Sequence, residues 1–408
     1  MATDKQDKVL NVPTLRFTEF SGEWHRTTIG ECCSPLEYGM NAPAKEYDGK
    51  NKYIRITDID EETCTYKYDD VVSPNALLEE KYKVLDNDIL FARTGASTGK
   101  AYLYDKKDGL MYYAGFLIRG NVKPDFNSKF VFLQTQTQKY KKWVDIMSIR
   151  SGQPGINSQE YSSFKFHLPP SKVEQDKIST LFTLLDVRIT TQIRIIDKLQ
   201  SLMKGLNDYL QDTVALSYSL SFSDIGKDYS GLSGKSAEDF GSGKPYITYV
   251  SVYTNNFVDD DCCGKVSVGL GEKQNVVLKG DMLFTLSSET PEEVCYGAVY
   301  SGNNTETFLN SFCFGIRNTE GKVFSPYMAY FFNSSRFRRE VFPLAQGSTR
   351  FNLQKSDFLQ KQFSYPSIDD QHRIFEILNA YDNKIKVENQ ILANYRLQKE
   401  FLLSNLFI

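Results

Sequence analysis

Two stretches of the sequence begin in the same way: SKVEQDKISTLFTLLDVRI at residues 171–189 and SIDDQHRIFEILNAYDNKI at residues 367–385. They lie 196 residues apart (367 minus 171). Each follows a proline and opens on a serine, with an acid three residues later, Glu174 or Asp370. A serine followed by an acid at that distance forms a capping box, which marks the first turn of a helix. The chain therefore repeats one helix start.

Both helices are predicted to be long, because apolar residues recur four and three residues apart over about 38 residues in each, which is the spacing of a coiled-coil seam. The predicted seam consists of Ile178, Leu185, Ile189, Ile196 and Leu199 in the first helix and Ile374, Leu378, Ile385, Leu392 and Leu402 in the second. We expect the two seams to pair with each other. Antiparallel pairing suits halves related by a pseudo-two-fold axis.

The segments that precede the helices also repeat. KYIRITDI at 52–59 matches PYITYVSV at 245–252, and VLDNDILFAR at 84–93 matches VLKGDMLFTL at 277–286, both at an offset of 193. FLIRG at 116–120 aligns with FGIRN at 314–318 at an offset of 198. These β-branched and aromatic segments predict strands. DFNSKFVFLQTQTQKYKKWV and FSPYMAYFFNSSRFRREV predict short helices.

The order of these elements predicts a mixed α/β (α+β) fold in which two similar globules are each followed by a long helix. The predicted domains are 1–169 (globule), 170–212 (long helix), 213–365 (globule) and 366–408 (long helix). A chain of 408 residues exceeds what one core usually supports, and 41% apolar residues suffice for two cores. The net charge of −3 neither predicts nor excludes a nucleic-acid partner.

The sequence offers no self-sufficient catalytic centre. GASTGKA at 95–101 and GLSGKS at 231–236 depart from the phosphate-loop pattern, and FGSGK at 240–244 precedes a predicted strand and is predicted to be a turn. A nucleophile elbow, an HExxH motif and an Asn-Pro-Pro-aromatic loop are missing. Asp88 and Asp281 are predicted to cap turns. The seven cysteines and three histidines lack ligand spacing, so we expect reduced thiols and no metal site.

Apolar runs are too short for a membrane span and the N-terminus lacks a leader, so we expect a cytoplasmic protein without a membrane partner.

Small, polar and basic residues recur in three loops, ARTGASTGKAY at 92–102, SIRSGQPGIN at 148–157 and AQGSTRFN at 345–352. Arg and Gln recognise guanine and adenine edges, whereas Ser, Thr and Lys suit phosphates. Basic clusters occupy matching places at 139–143 and 336–340, although a solvated helix face would explain each cluster equally well. The residues predicted to contact DNA are Tyr38, Lys45, Arg93, Thr94, Lys100, Lys141, Arg150, Gln153, Tyr229, Lys235, Ser287, Arg338, Gln346, Ser348 and Arg350.

The chain resembles the specificity subunit of type I restriction-modification systems over nearly its whole length. The resemblance rests on NVPTLRFTEFSGEW near the N-terminus and on two globules that close in LPPSKVEQDKI and YPSIDDQHRI ahead of a long helix. The shared motif is Pro-x-x-x-acid-Gln-x-x-Ile, carried by Pro170, Glu174, Gln175 and Ile178 in the first copy. The second copy has Asp370 where the family usually has Glu.

The resemblance implies a non-catalytic subunit. Each globule would be a target-recognition domain for one half of a split, asymmetric site in double-stranded DNA, and the helices would hold the halves apart. Two modification subunits would dock and restriction subunits would join later. This chain would bind no cofactor, and S-adenosylmethionine, ATP and Mg²⁺ would bind to the partner subunits. A helix of about 38 residues is about 57 Å long, against about 35 Å for one turn of duplex.

Two alternatives remain open at the level of sequence. A tandem-repeat scaffold that binds only proteins would show no salt-sensitive binding to duplex DNA. A nucleotide-dependent enzyme that uses the TGK loops would bind ATP or GTP as the isolated chain.

Overall fold

The computed structural model describes residues 11–269 and 271–408. These residues form two compact units. Unit 1 contains the described residues up to Arg194 together with Gln390–Ile408, and unit 2 contains Ile195–Asn389. Each unit therefore combines one globule with the beginning of one long helix and the end of the other. The predicted domain boundaries at 169, 212 and 365 follow chain order instead and stay a prediction.

Unit 1 contains ten strands and four short helices within its described residues, followed by the start of a long helix. The strands are β1 His25–Thr28, β2 Glu37–Tyr38, β3 Ala44–Glu46, β4 Lys52–Ile54, β5 Val72–Pro74, β6 Asp88–Ala92, β7 Ala101–Leu103, β8 Met111–Tyr113, β9 Leu117–Asn121 and β10 Lys165–Leu168. The helices are α1 Ile29–Cys32, α2 Ser128–Gln134, α3 Gln138–Met147, α4 Ser158–Ser162 and the long α5 Lys172–Thr213.

Unit 2 repeats this plan with longer excursions between its strands. Its strands are β11 Leu216–Leu220, β12 Lys227–Ser230, β13 Phe240–Ile247, β14 Phe257–Val258, β15 Cys263–Val266, β16 Met282–Thr285, β17 Ser287–Ser288, β18 Gly297–Tyr300, β19 Phe308–Leu309, β20 Cys313–Arg317, β21 Ala345–Gln346, β22 Phe351–Leu353 and β23 Phe363–Pro366. Its helices are α6 Phe222–Ile225, α7 Tyr249–Thr254, α8 Ser325–Phe331, α9 Ser335–Val341, α10 Lys355–Gln360 and the long α11 Ile368–Asn405.

The two units share one sheet topology. The main sheet runs β2-β9-β6-β7 in unit 1 and β12-β20-β16-β18-β14 in unit 2, so four strands follow the same order and unit 2 adds one at the edge. Each unit also has a parallel pair outside its main sheet, β4 with β8 and β13 with β19, and the additional edge strand of unit 2, β14, is parallel to β18. The predicted mixed α/β fold with two similar globules is confirmed, as are the short helices α2, α3, α8 and α9.

Three details of the predicted repeat are wrong. The strand predicted at 52–59 ends at Ile54 and is followed by the short 3-10 helix Ile56–Asp58. Phe91 of β6 pairs with Ile118 of β9, and the equivalent Phe284 of β16 pairs with Phe314 of β20. The offset between β9 and β20, which we call the return strands, is therefore 196 (314 minus 118) and not 198. Residues 249–252 form helix α7 instead of a strand, because the Thr248 hydroxyl accepts a hydrogen bond from the Ser251 N–H at 3.0 Å and caps that helix.

FGSGK differs from its predicted turn. It forms the beginning of β13, where the pairing with β15 shifts between Phe240 and Lys244. Gly241 and Gly243 adopt φ values of 107° and 103°, which only glycine tolerates readily. The segment is therefore a bulged strand end.

The long helices pair antiparallel, as the shared core of each unit shows. In unit 1, Phe182 near the start of α5 packs against Phe407 just beyond the end of α11, with ring centroids 5.8 Å apart. The Asp186 carboxylate of α5 forms an ion pair with the Lys399 ammonium group of α11, with 2.8 Å between the oxygen and the nitrogen. In unit 2, Leu206 and Leu210 near the end of α5 pack on the core that contains Ile374 and Leu378 near the start of α11.

Most of the predicted seam is buried. Ile178, Leu185, Ile189, Ile196, Ile374, Leu378, Ile385 and Leu392 are buried, whereas Leu199 and Leu402 are half-buried. At the end of α11 the buried position is Leu403, one residue beyond the predicted Leu402. In the described part of the chain, no helix has the length and apolarity that a membrane crossing requires.

A buried glutamine joins the start of each long helix to its globule. The Gln175 amide oxygen accepts from the Asn127 N–H at 3.0 Å, and the Gln371 oxygen accepts from the Phe324 N–H at 2.8 Å. Asn127 and Phe324 are the residues that cap α2 and α8. The Gln371 amide nitrogen also donates to the Pro366 carbonyl at 3.0 Å. The glutamine of the shared motif therefore links a long helix to a short one.

The acids of the two helix starts have different partners. Ser367 and Asp370 form the predicted side-chain cap, with the hydroxyl donating to the carboxylate at 2.7 Å. Glu174 instead accepts from Arg16 at 2.7 and 2.8 Å and from the Trp24 indole at 3.3 Å. The predicted capping box of the first helix is thus replaced by a contact with the N-terminal segment NVPTLRFTEFSGEW.

Replacing Gln371 with Leu should destabilise unit 2. The Phe324 N–H would lose its acceptor in a site that water reaches poorly, which costs about 1–3 kcal/mol of unfolding free energy. Gln398→Leu makes the same change at an exposed position of α11 and should alter stability by less than about 0.5 kcal/mol. Chemical unfolding of both variants tests this, and equal losses would contradict a structural role for Gln371.

Candidate nucleic-acid interface

Buried aspartates fix the start of the central strand in both units. Asp88 at the head of β6 accepts from the Leu85 N–H at 2.6 Å and from the Asn121 amide at 2.8 Å. Asp281 ahead of β16 accepts from the Leu278 N–H at 2.9 Å and from Arg317 at 2.8 Å. The prediction that these two aspartates cap turns is confirmed.

GASTGKA forms the connection between β6 and β7. Gly95–Ser97 is a single short 3-10 turn, and a strand follows at Ala101. A phosphate loop would lead into a helix whose first N–H groups face the ligand. The geometry therefore agrees with the sequence in excluding a phosphate loop here.

In unit 1 the structure brings two of the predicted DNA-contacting loops together. The Gly95 N–H donates to the Pro154 carbonyl at 2.9 Å, and the Ile156 N–H donates to the Arg93 carbonyl at 2.9 Å. Loops 92–102 and 148–157 therefore form one surface. We call its exposed and half-buried side chains recognition face 1, defined by Tyr38, Arg93, Thr94 and Gln153.

An arginine lies over an aromatic ring on this face. The guanidinium carbon of Arg93 is 4.9 Å from the centroid of the Tyr38 ring. The Tyr38 hydroxyl oxygen accepts from the Ser158 N–H at 3.2 Å, which holds the ring against loop 148–157. Partial burial favours a higher pKa for Tyr38, but this hydrogen bond and the Arg93 charge outweigh it and lower the pKa.

Gly95 leaves room for a side chain of the same face. It has a φ of +70°, and a methyl group at its Cα would come within 2.9 Å of the Gln153 amide nitrogen. Glycine is therefore favoured by the backbone conformation, whereas the exposed Gln153 side chain could move aside for a methyl group.

Unit 2 builds the equivalent surface from loop 345–352. The Leu353 N–H donates to the Leu286 carbonyl at 2.8 Å, and Ser287 pairs with Asn352. We define recognition face 2 by Phe312, Gln346, Ser348 and Arg350, all of which are exposed. The Arg350 guanidinium carbon is 5.8 Å from the centroid of the Phe312 ring, which is 55% exposed. Ser287 lies beneath this face and is buried.

Sequence reasoning missed Phe312. It lies in a tight turn in which the Cys313 N–H donates to the Asn310 carbonyl at 3.0 Å, just before β20. Its equivalent in unit 1 is Phe116. The Leu286 N–H donates to the Phe312 carbonyl, and the Arg93 N–H donates to the Phe116 carbonyl in the same way. The sequence alignment at offset 198 matched Phe116 with the buried Phe314 instead. The equivalence of the two exposed rings, Phe116 and Phe312, was therefore not recognised from the sequence.

The structure places four other predicted residues of unit 1 away from face 1 or in contacts of their own. Arg150 donates to both carboxylate oxygens of Glu160 at 2.7 Å and also to two backbone carbonyls of its loop. Lys100 and Lys141 line a cavity of about 1430 Å³ between α2, α3 and the helix ends, and Lys100 lies 3.4 Å from Glu61. Lys45 is exposed on β3.

Three predicted residues of unit 2 bind the protein itself. The Tyr229 hydroxyl donates to Asp281 at 2.7 Å, and burial together with that carboxylate holds the pKa of Tyr229 well above its usual value. Lys235 is paired with Glu272 at 2.7 Å. Arg338 donates to three backbone carbonyls at 2.6 to 2.8 Å. These contacts favour structural roles, and DNA contact by these three residues stays a prediction that their geometry does not support.

The matched basic clusters likewise differ in their surroundings. Lys141 and Lys142 of α3 are exposed, whereas Arg336 of α9 donates to the Ser364 carbonyl at 2.8 Å. Across residues 11–269 and 271–408, no three His, Cys, Asp or Glu side chains converge as metal ligands would. That cofactors bind to partner subunits stays a prediction.

The model of the type I restriction modification DNA specificity domain matches this chain twice, at residues 23–201 and 225–394. The crystal structure of a type I restriction-modification system S subunit from M. genitalium covers 97% of this chain and 99% of its own at a TM-score of 0.56 and 14% identity. A structure from work on complex assembly and conformational transition of the type I restriction-modification system covers 93% and 96%, with the same TM-score and identity. At this identity the likeness to solved structures shows a common fold.

Replacing Gly95 with Ala should cost about 1–2 kcal/mol of unfolding free energy, because an L side chain is strained at positive φ. The new methyl group should also displace the Gln153 amide. Gly152→Ala is the matched control in the neighbouring loop, since its Cβ would meet open space, and no loss of stability is expected there. Urea unfolding measures both changes, and equal stabilities would show that Gly95 is not constrained.

Proposed function

Because the chain belongs to the family of type I restriction-modification DNA specificity proteins, we propose that it recognises a split site in double-stranded DNA, one half with each unit. Proteins of this family supply sequence specificity and are not themselves catalytic. The observation that carries the proposal is the pair of recognition faces. Each is formed at the same place in the shared topology, and each presents one arginine with neutral polar side chains.

The faces differ at equivalent positions, which supports an asymmetric site. Thr94 pairs with Gly155 in unit 1, and Ser287 pairs with Asn352 in unit 2, so Gly155 and Asn352 are equivalent. The residues two positions before them, Gln153 and Arg350, are therefore equivalent as well. An amide suits adenine and a guanidinium suits guanine in the major groove. The two half-sites should therefore have different sequences.

Exposed apolar side chains on the long helices support docking of modification subunits. In unit 1, Leu184 of α5 and Phe401 of α11 are 60% and 59% exposed. In unit 2, Leu202 and Tyr209 of α5 are 54% and 64% exposed. Large apolar side chains exposed on a helix surface are available for contacts with other proteins. We assign these faces to two modification subunits, with restriction subunits joining the assembly.

The chemistry of the assembly belongs to these partners in our proposal. S-adenosylmethionine would bind to the modification subunits, and ATP with Mg²⁺ would bind to the restriction subunits. Since the substrate is DNA, we place the protein's action in the cytoplasm. The purified chain alone should neither methylate nor cut DNA, and methyl transfer by the isolated chain would contradict this assignment.

Substitution of one arginine should relax one half-site only. Sequencing of methylated bases in cells that carry the assembly should reveal two short sequences separated by unspecified base pairs. Arg93→Ala should relax the half recognised by unit 1 and Arg350→Ala the other half, by about 1–3 kcal/mol for a bidentate contact. In unit 1 the informative residue is Arg93 and not Arg150, because one terminal nitrogen of Arg150 donates to Glu160 and the other to two backbone carbonyls of its own loop.

Arg339→Ala provides the control. Arg339 is an exposed arginine of α9 that lies 3.6 Å from Asp212 and on neither face. Its removal should leave both half-sites unchanged. If Arg93→Ala and Arg350→Ala weaken binding to all DNA equally, these arginines contact phosphates and the assignment of the faces is wrong.

The long helices are proposed to set the distance between the half-sites. Four residues inserted after Leu199 add about 6 Å to α5 and rotate the remainder of the helix by little more than one full turn, so the seam continues as a local stutter. The methylated site should then contain the same half-sequences with one or two additional unspecified base pairs, given a duplex rise near 3.4 Å.

An insertion of two residues is the comparison for this experiment. It rotates the apolar stripe by about 200° and should abolish helix pairing and activity. An active four-residue variant whose half-sites keep their original separation would show that the helices do not determine the distance.

A further inference from the structure

Five arginine side chains lie over aromatic rings in the described parts of the chain. They are Arg93 over Tyr38, Arg119 over Tyr113, Arg317 over Tyr229, Arg338 over Tyr296 and Arg350 over Phe312, with guanidinium carbons 4.6 to 5.8 Å from the ring centroids. An exposed or half-buried ring beneath a guanidinium attracts it and limits its orientations. The five differ in what their N–H groups do.

Three of the five use their N–H groups within the protein. Arg119 donates to the Lys83 carbonyl at 3.0 Å and to the Glu37 carboxylate. Arg317 donates to Asp281, and Arg338 donates to backbone carbonyls. Within residues 11–269 and 271–408, neither Arg93 nor Arg350 has a protein acceptor for its guanidinium. These two are also the arginines of recognition faces 1 and 2.

The two pairs are not copies produced by the internal repeat. Tyr38 faces Ile118 across β2 and β9, and the equivalent residue facing Phe314 in unit 2 is Ser230. Arg350 likewise corresponds to Gln153 and not to Arg93. The same arrangement of a ring beneath an arginine is thus built twice from residues at unrelated positions. Shared packing of the scaffold does not explain that, whereas a common ligand chemistry does.

Guanine is the ligand that this arrangement fits. Its O6 and N7 are neighbouring acceptors on the major-groove edge, and the planar guanidinium offers paired donors at matching spacing. Phosphate contacts would suit surfaces that gather several cations. Thr94 and Gln153 lie beside Arg93 on face 1, where the neighbouring Arg150 is paired with Glu160, and Gln346 and Ser348 lie beside Arg350 on face 2. Within the described chain, each face thus has one arginine without a carboxylate partner and does not gather several unpaired cations.

We infer that Tyr38 and Phe312 are positioning residues that hold Arg93 and Arg350 for bidentate bonding to one guanine in each half of the DNA site. This inference rests on the proposed function, and it adds a base identity and two aromatic residues that determine specificity. Their contribution is expected in discrimination between bases and not in general affinity.

Base analogues in the target duplex test the arginines. Each guanine of the two half-sites is replaced in turn by 7-deazaguanine, which lacks the N7 acceptor, and binding by the full chain with its modification subunits is measured. The wild type should lose about 5- to 100-fold in affinity at one guanine in each half. Arg93→Ala and Arg350→Ala should each abolish the loss at one of these positions. Inosine, which retains O6 and N7, should bind like guanine.

Conservative variants test the rings. Tyr38→Phe and Phe312→Tyr keep an aromatic ring and should keep the 7-deazaguanine effect, whereas Tyr38→Leu and Phe312→Leu should reduce it at least several-fold. Phe116→Leu is the matched control, because Phe116 occupies the turn equivalent to that of Phe312, is 57% exposed, and has no arginine over it among the described residues. It should leave discrimination unchanged. Thermal unfolding should be the same for the Phe312 and Phe116 variants. Tyr38→Phe is the reference for Tyr38→Leu, because both lose the hydrogen bond from the Ser158 N–H.

The outcomes separate this inference from the proposal beneath it. If the assembly binds no specific duplex, the proposed function fails and the inference fails with it. If it binds a specific duplex but no guanine depends on Arg93 or Arg350, the inference alone is overturned. If the leucine variants discriminate as well as the wild type, the arginines act without their rings and the positioning role is wrong.

Discussion

A buried side-chain amide links each globule to its long helix, beside the apolar contacts that the same helix makes with the core. Gln175 and Gln371 are 2% and 0% exposed, and each accepts the backbone N–H that begins a short helix of its own unit. An amide in that position tolerates little movement, because any loss of its partners leaves a buried polar group unpaired. The short helix packs on strands of the main sheet, α2 on β6 and β7 and α8 on β16 and β18, so this bond connects the long helix to the sheet that carries the loops.

The elements that the sequence predicts well are those that local pattern determines. The start of α11 follows from Ser367 and Asp370, and the helix seams follow from apolar spacing, since both signals lie within one or two turns. The return strands β9 and β20 depend instead on partners far along the chain. Helix α7 was missed although its cap, formed by Thr248 and Ser251, is local. The offset of β20 is defined by its pairing with β16, and a sequence alignment of β9 with β20 slipped by two residues and concealed the equivalence of Phe116 and Phe312.

The candidate site shows the same limit at the level of single side chains. Arg93, Arg150, Arg338 and Arg350 look alike in sequence, as arginines in or near polar loops. What distinguishes these arginines is whether the folded protein provides hydrogen-bond acceptors for their guanidinium groups. Glu160 accepts hydrogen bonds from Arg150 through both of its carboxylate oxygens, and the carbonyl of Cys295 is one of three that bind Arg338. Whether a guanidinium remains available to DNA depends on folded contacts, which residue type and loop composition do not reveal.

In the proposed function, two different half-sites are recognised through side chains that differ between the two units and lie outside the packed core. Gln153 and Arg350 occupy equivalent backbone positions and both side chains are exposed, so exchanging an amide for a guanidinium there leaves the sheet beneath undisturbed. In the proposed function, this exchange changes the base preference. Asp88 and Asp281, by contrast, are buried at equivalent strand heads and stay identical. Burial thus divides each unit into a frame whose chemistry is fixed by its own hydrogen bonds and a surface whose chemistry is free to follow the DNA.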